Sequence, residues 1–408
     1  MDQNLAKLNQ ARLVEAVGSE ATVILFSGVA PKMSADMQYR FVVNRNFYYI
    51  TGIDEPYLIY LLHKGVSYLF IERADELHEK WVGKKIDYLR ANFKSGIENI
   101  YFLEDFYRFV YENIPQGETL YLDLETDQFN QHPTVAERQV LRFGSDYEIE
   151  DVYPILTKLR MIKSDLEIKE IKKAIAITKQ AFENVMKNMV PDVRESHYEA
   201  DFDYILKRYN VPAAFDSIVA SGVNATILHY VTNNKFSKKG DLVLFDFGAT
   251  SNLYCADISR TIPVTGKYSE RQKEIYQIVL NAQQVMLEKV RPGVALPELN
   301  QAVISYYQKA LEEIGLIEDE ADVSQYYYHN VSHLLGLDTH DVGGREVVLE
   351  AGMVITCEPG LYIKEEEIGI RIEDDILVTD DGYENLSLDI MRSIEDIESF
   401  MAQNHEEK

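Results

Sequence analysis

Carboxylates set inside apolar, strand-forming runs constrain this chain more than any other feature. Asp246 stands in Leu242-Val243-Leu244-Phe245-Asp246-Phe247-Gly248, where strand alternation places it on the face of Leu242 and Leu244. Burying a lone carboxylate costs several kcal/mol, so it needs a cationic partner or a metal ion. Asp257 follows 11 residues later in Tyr254-Cys255-Ala256-Asp257-Ile258, across a Gly/Thr/Ser/Asn-rich stretch at 248–252. That spacing predicts a hairpin presenting two aspartates to one site. Glu358 ends Met353-Val354-Ile355-Thr356-Cys357-Glu358 before Pro359-Gly360, and Glu373 sits in Ile370-Arg371-Ile372-Glu373-Asp374-Asp375-Ile376. Taken singly, each has a structural reading that comes first: Asp246 as a turn residue, Glu373 as the partner of its same-face neighbour Arg371. Four in the strands of one region point to a shared site.

The histidines sharpen that reading. Three of the nine fall in Tyr328-His329-Asn330-Val331-Ser332-His333-Leu334-Leu335-Gly336-Leu337-Asp338-Thr339-His340-Asp341, and His229 follows Ala225-Thr226-Ile227-Leu228. His63, His78, His132, His197 and His405 have no such context and are assigned no role. Mostly oxygen donors with one imidazole suit Mn²⁺, Fe²⁺, Co²⁺ or Zn²⁺. Four carboxylates and a histidine exceed the needs of one ion, whereas two ions about 3.5–4 Å apart would use them all.

Around this site the chain divides. The first 150 residues mix helical spacing (Leu5, Leu8, Val14 and Val17; 75–86; 103–113) with strand-like runs at 21–26, 57–62, 66–71 and 119–124, and read as an α/β accessory domain, 1–150. A linker, 151–163, leads to Ser164 and Glu167, a capping box that opens a helix ending at Pro191. Ser269 and Gln272 open a second helix, stopped by Arg291-Pro292-Gly293, and a third runs from Leu299 to Ile314. Strands are expected at 242–247, 254–263, 353–358 and 368–378. Helices then strands, twice over, suggest a duplicated α+β unit in a domain spanning 164–408. After Asp389, Ile390, Ile394, Ile397 and Met401 share one helical face, and 403–408 should fray.

With 41 basic against 67 acidic residues the net charge is −26, which argues against nucleic acid or an anionic membrane as the partner. The polar N-terminus and the shortness of the apolar runs predict a soluble, cytoplasmic protein. Two cysteines in 408 residues fit a reducing compartment. Cys255, two residues before Asp257, reads first as a small buried residue; on a regular strand it would share that residue's face and confer sensitivity to thiol-seeking metals, while Cys357 should point away from Glu358.

At these residues the chain resembles the pita-bread-fold metallopeptidases, and within them aminopeptidase P, over nearly its whole length. The resemblance rests on Ser217–Gly222 with Leu228-His229-Tyr230; Asp246-Phe247-Gly248-Ala249 with Asp257-Ile258-Ser259-Arg260-Thr261; Ser332 to Asp341; Glu358-Pro359-Gly360-Leu361-Tyr362; and Gly369 to Asp375. In the first half, Asn46-Phe47-Tyr48-Tyr49-Ile50-Thr51-Gly52 and Lys80-Trp81-Val82-Gly83-Lys84 resemble the aminopeptidase P amino-terminal domain, which in the family mediates self-association and narrows the mouth of the active site. Trp81 reads as a residue of that mouth or of the core.

The resemblance implies an α/β amino-terminal domain joined to an α+β pita-bread domain. It implies two divalent ions, Mn²⁺ first with Co²⁺ or Zn²⁺ as alternatives, held by Asp246, Asp257, His333, Glu358 and Glu373. Glu358 would also shuttle the proton, His229 and His340 would contact substrate and the tetrahedral intermediate, His329 would line the substrate pocket, and Arg371 would orient the ligand carboxylates. The activity implied is an exopeptidase cleaving between an N-terminal residue and a following proline by a dimetal-activated hydroxide, in a homodimer or homotetramer. A prolidase restricted to Xaa-Pro dipeptides and a non-catalytic peptide-binding domain are the alternatives. Tyr326-Tyr327-Tyr328-His329-Asn330-Val331 departs from the usual Pro-His-Gly and bears on the shape of the pocket.

Overall fold

The computed structural model describes residues 3–125, 134–319 and 322–405. Contacts divide the chain into two compact units, Met1–Arg160 and Met161–Lys408.

The first unit is built on a six-stranded mixed sheet. Strand Thr22–Phe26 lies inside it, antiparallel to Ile59–His63 and parallel to Thr119–Leu122. Val66–Ile71 pairs with Ile59–His63 through a tight turn whose two central residues, Lys64 and Gly65, both have positive φ, as a two-residue hairpin of the native twist requires. Asn99–Phe102 and Glu148–Asp151 add parallel edges, reached through helical connections. One face of the sheet packs on an aromatic core in which Phe106 stands edge-on to Phe70 and Phe143.

The first helix, Gln3–Val17, buries Leu5, Ala6, Asn9 and Leu13; Leu8 is exposed, and Val14 and Val17 are only partly covered. The stripe therefore runs through Asn9, which the apolar count skipped. Asn9 is fully buried because its amide donates to the Tyr49 carbonyl at 2.8 Å. The helix expected over 75–86 is shorter, Glu76–Val82, and that over 103–113 begins as a 3₁₀ turn before Phe106–Asn113. Trp81 is 84% exposed and so is not a core residue. His63 is a satisfied core histidine, its Nδ1 2.8 Å from the Thr22 hydroxyl. His132 lies outside the described residues, as do 406–408.

The second unit repeats one arrangement. Helices Asp165–Asn188 and Glu195–Tyr209 precede a sheet of Ile218–Ser221, Leu242–Phe247 and Ile258–Pro263; helices Glu270–Leu287 and Leu296–Glu313 precede a sheet of Val354–Cys357, Asp374–Val378 and Tyr383–Asn385. The expected caps are present. Glu167 accepts from both the N–H and the hydroxyl of Ser164, and Ser269 exchanges bonds with Gln272. The closing helix, Ile394–His405, turns Ile394, Ile397 and Met401 inward, and Gln403–His405 continue it. Among the described residues no helix is long and apolar enough to cross a membrane.

Strand Ile258–Pro263 brings the two halves together. The Ser259 carbonyl accepts from the Glu373 N–H at 3.0 Å, and Thr261 exchanges bonds with the Arg371 backbone. Arg260 is among the largest fully buried side chains. Its guanidinium donates to the carbonyls of Ser259, Glu373, Ile390 and Met391 and to the Asp374 carboxylate. A buried cation so completely paired is stable in place, but removing its partner would strand a charge.

Candidate metal centre

The hairpin that presents the first two aspartates is real but not regular. Asp246 pairs with Ser259 and Phe247 with Ile258, so Asp257 lies one step past the last pair, diagonal to Asp246 on the same face. The expected strand 254–263 is broken at Ala256-Asp257 into Tyr254–Cys255 and Ile258–Pro263. A small second hairpin, Thr250–Ser251 with Tyr254–Cys255, turns through Asn252 and Leu253, both at positive φ. Gly248 lets this crossing close, since a Cβ there would sit 2.0 Å from the Ala256 carbonyl oxygen. The break also removes the alternation argument for Cys255. Its sulfur lies 3.7 Å from the carbonyls of Leu253 and Leu337, and it is not among the residues lining the cavity described below. Cys357 is fully buried with its sulfur against the Gln283 carbonyl, away from the site.

One cavity of about 760 Å³ is lined by all nine residues singled out from the sequence: His229, Asp246, Asp257, His329, His333, His340, Glu358, Arg371 and Glu373. Asp257, His333 and Glu373 each offer a donor atom within 4.8 Å of the others. His333 Nε2 lies 3.4 Å from Asp257 Oδ2 and 3.5 Å from Glu358 Oε1. Arg371 holds the other side: it donates to Asp246 Oδ2 at 2.6 Å, to the Ser259 hydroxyl at 2.8 Å and to Tyr362 at 3.4 Å. Ser259 in turn donates to Glu373 Oε2 at 2.7 Å. One guanidinium thus fixes Asp246 directly and Glu373 through a hydroxyl.

The donor set fits divalent cations. His333 Nδ1 faces the Leu334 carbonyl at 3.0 Å, so that nitrogen carries the proton and Nε2 presents a lone pair. Burial pushes this imidazole down to about 4 and keeps it neutral at pH 7. A lone pair facing two carboxylate oxygens at non-bonding distance is repulsive unless a proton or a metal ion lies between them. Among the described residues Asp246 Oδ1 is buried without a hydrogen-bond partner. Burial first, and mutual repulsion second, pushes the carboxyls of Asp257 and Glu373 well above the ordinary range; Glu358 is pushed up to about 8, mainly by burial. Arg371 offsets only part of that excess of negative charge. Such a cluster holds protons or metal ions.

The remaining histidines differ in role. His329 Nδ1 faces the Asn330 carbonyl at 2.8 Å, so its Nε2 accepts from the Tyr362 hydroxyl at 2.9 Å, completing a chain Arg371–Tyr362–His329. Burial pushes His329 down to about 3, and the neutral ring stands on the cavity wall. His340 stacks edge-on to His333 with centroids 4.4 Å apart and is held below its ordinary value by burial. Its neighbour Asp341 forms a fully buried ion pair with Lys163 at 3.0 Å. Tyr328 bridges the cavity rim, its hydroxyl donating to the Thr226 carbonyl and its ring against Tyr362.

Sequence reasoning gave no role to Ser259, Tyr362, Lys163 or Asp375. Asp375 is fully buried beside Asp257, whose N–H reaches its Oδ2 at 3.3 Å. Its place in an apolar strand was the same signal that exposed Asp246. For Ser259 and Lys163 no local signal exists, because their partners lie 114 and 178 positions away.

A duplicated α+β unit whose facing strands gather carboxylates and a neutral imidazole around one cavity defines a metal-dependent hydrolase. Comparison with known proteins narrows the class. The model of metallopeptidase family M24 matches residues 169–380, and that of the aminopeptidase P N-terminal domain matches residues 6–121. The chain is 33% identical to an Escherichia coli Xaa-Pro aminopeptidase over 98% of its own length and 97% of that protein's, and 34% identical to one from Haemophilus influenzae over 96% of each. Zinc-substituted E. coli aminopeptidase P in complex with product superposes with a TM-score of 0.90 at 31% identity, covering 99% of both chains. A Bacillus anthracis chain provisionally described as an aminopeptidase P superposes at 0.94 with 48% identity, again over 99% of both.

The chain belongs to metallopeptidase family M24, on its aminopeptidase P branch. It is a metal-dependent exopeptidase built from an aminopeptidase P-type α/β unit and a pita-bread unit, and the non-catalytic reading is set aside.

Proposed function

We propose that the enzyme releases the N-terminal residue from peptides with proline in second position, using two divalent ions, Mn²⁺ in the native state, held by Asp246, Asp257, His333, Glu358 and Glu373. The observation that carries this reading is the unprotonated His333 Nε2 facing Asp257 and Glu358 inside a cluster of buried carboxylates. When bound, such ions supply a nucleophilic water near neutral pH and polarise the scissile carbonyl.

The chain's own groups do the rest. Glu358 accepts the proton of the attacking water and delivers it to the proline nitrogen as the C–N bond breaks. His229 and His340 hydrogen-bond the substrate and the oxygen that gains charge at the tetrahedral stage. His329, fixed by Tyr362 and the Asn330 carbonyl, walls the pocket that receives the proline ring. The imide nitrogen of proline carries no N–H, so selection for it rests on shape and on protonating a ring nitrogen. The same reading takes 1–150 as the amino-terminal domain, 151–163 as a linker, 164–408 as the catalytic domain, and the enzyme as a cytoplasmic homodimer or homotetramer.

Two outcomes test this function. Metal-stripped protein should not turn over an Xaa-Pro tripeptide, should regain turnover with Mn²⁺ ahead of Co²⁺ or Zn²⁺, and should leave a non-proline control intact. Faster cleavage of the control, or of Xaa-Pro dipeptides over tripeptides, contradicts it. Arg371→Lys retains the charge but cannot span Asp246, Ser259 and Tyr362 together. It should weaken Mn²⁺ binding about 10- to 100-fold in calorimetric titration.

A further inference from the structure

His229 is exposed on a turn, and among the described residues its imidazole makes no hydrogen bond. Its position is therefore set by the chain on either side. Leu228 and Tyr230 pack on the apolar cluster of Ile218, Ala220, Leu244 and Tyr362. The Tyr230 hydroxyl goes further and donates to Glu195 Oε2 at 2.8 Å.

Glu195 is an unusual carboxylate. It is fully buried, and no Lys or Arg pairs with it among the described residues. It is instead saturated by neutral donors. Oε1 accepts from the Ser221 N–H at 2.8 Å, the Ser221 hydroxyl at 2.6 Å and the Asn224 amide at 3.0 Å. Oε2 accepts from Tyr230 and from the Lys235 N–H at 2.9 Å. Five donors fill the lone-pair sites of one carboxylate. They come from the strand end and 3₁₀ turn before His229 and from the segment after it. The residue itself opens helix Glu195–Tyr209, where the helix dipole favours negative charge. One anion thus ties both flanks of the His229 turn to a helix terminus.

We propose that Glu195 is a positioning residue for His229, holding the exposed imidazole where substrate meets the cavity. The inference rests on the substrate-contacting role assigned to His229 above. A turn freed on both sides would let the ring wander, and a misplacement near 1 Å can cost about 100-fold in rate.

The test is a double-mutant cycle on the metal-loaded enzyme with an Xaa-Pro tripeptide. Glu195→Gln keeps the shape but turns an N–H towards donors. It should lower kcat/KM between about 10- and 100-fold with metal content unchanged. In a His229→Ala background the same change should shift kcat/KM less than about twofold, because the group it positions is gone. Tyr230→Phe, which removes one of the five donors, should show the same pattern more weakly and serves if Glu195→Gln does not fold. Equal losses in both backgrounds, or none in either, overturn the proposal while leaving the role of His229 intact. An unimpaired His229→Ala enzyme overturns the assignment of His229 itself, and the proposal with it.

Discussion

Asp257→Asn is expected to lower kcat by more than about 100-fold and to reduce bound metal, with the fold retained. In the proposed centre Asp257 stands among the other donors. It lies past the end of a strand pair, in the break between Cys255 and Ile258, 3.4 Å from His333 Nε2 and close to Glu373. An amide has nearly the carboxylate's volume, so packing at this buried point is preserved while a charged donor is lost. The cluster then holds one ionisable carboxyl fewer and is less repulsive where the others are ionised, so at about pH 8 metal-free Asp257→Asn should unfold at a higher temperature than the metal-free parent. A variant inactive because it misfolds would do the opposite. Full turnover with an undiminished metal content would remove Asp257 from the centre.

The second large effect is the pH dependence of metal stabilisation. The carboxyls of Asp257, Glu358 and Glu373 are raised in the folded protein without metal, Glu358 to about 8. In an unfolded chain they lose their protons near pH ~4. Between those values the folded state binds protons that the unfolded state has released, so raising the pH favours unfolding. The metal-free enzyme should lose stability from about pH 5 to about pH 8. Cations bind the deprotonated cluster and relieve its repulsion, so their benefit grows over the same interval. Melting of Mn²⁺-loaded and chelated protein should differ little at about pH 5 and by on the order of 10 °C at about pH 8. A difference that stays constant, or that narrows with rising pH, contradicts the assignment of these carboxyls to the metal cluster.

The sequence exposed this cluster because a carboxylate in an apolar strand is conspicuous. Asp246, Asp257, Glu358 and Glu373 were legible on that ground, and the structure brings all four to one cavity. The histidines were not separable by spacing. His329, His333 and His340 stand in one short segment; the turn of His333 Nδ1 towards the Leu334 carbonyl aims its other nitrogen at Asp257 and Glu358, whereas His329 approaches Glu358 at 3.7 Å through the nitrogen that faces the Asn330 carbonyl. Spacing along the chain carries no information about that rotation; resemblance did. Helix caps were legible because a capping box is local. Helix Glu195–Tyr209 went unread although Tyr198, Phe202 and Leu206 recur every four residues, and nothing in Arg194-Glu195-Ser196-His197 marks Glu195 as buried. Its burial depends on donors 26 to 40 positions away. The first helix misled for a related reason. A polar Asn9 occupies the buried stripe by bonding the Tyr49 carbonyl, and no apolar count finds it.

The measurement that bears most directly on the central claim is anomalous diffraction from crystals of active, Mn²⁺-loaded enzyme. Two manganese peaks should lie among Asp246, Asp257, His333, Glu358 and Glu373, with His333 Nε2 directed at one of them. Active enzyme with no anomalous peak in this cavity, or with its metal held by other residues, would contradict the account.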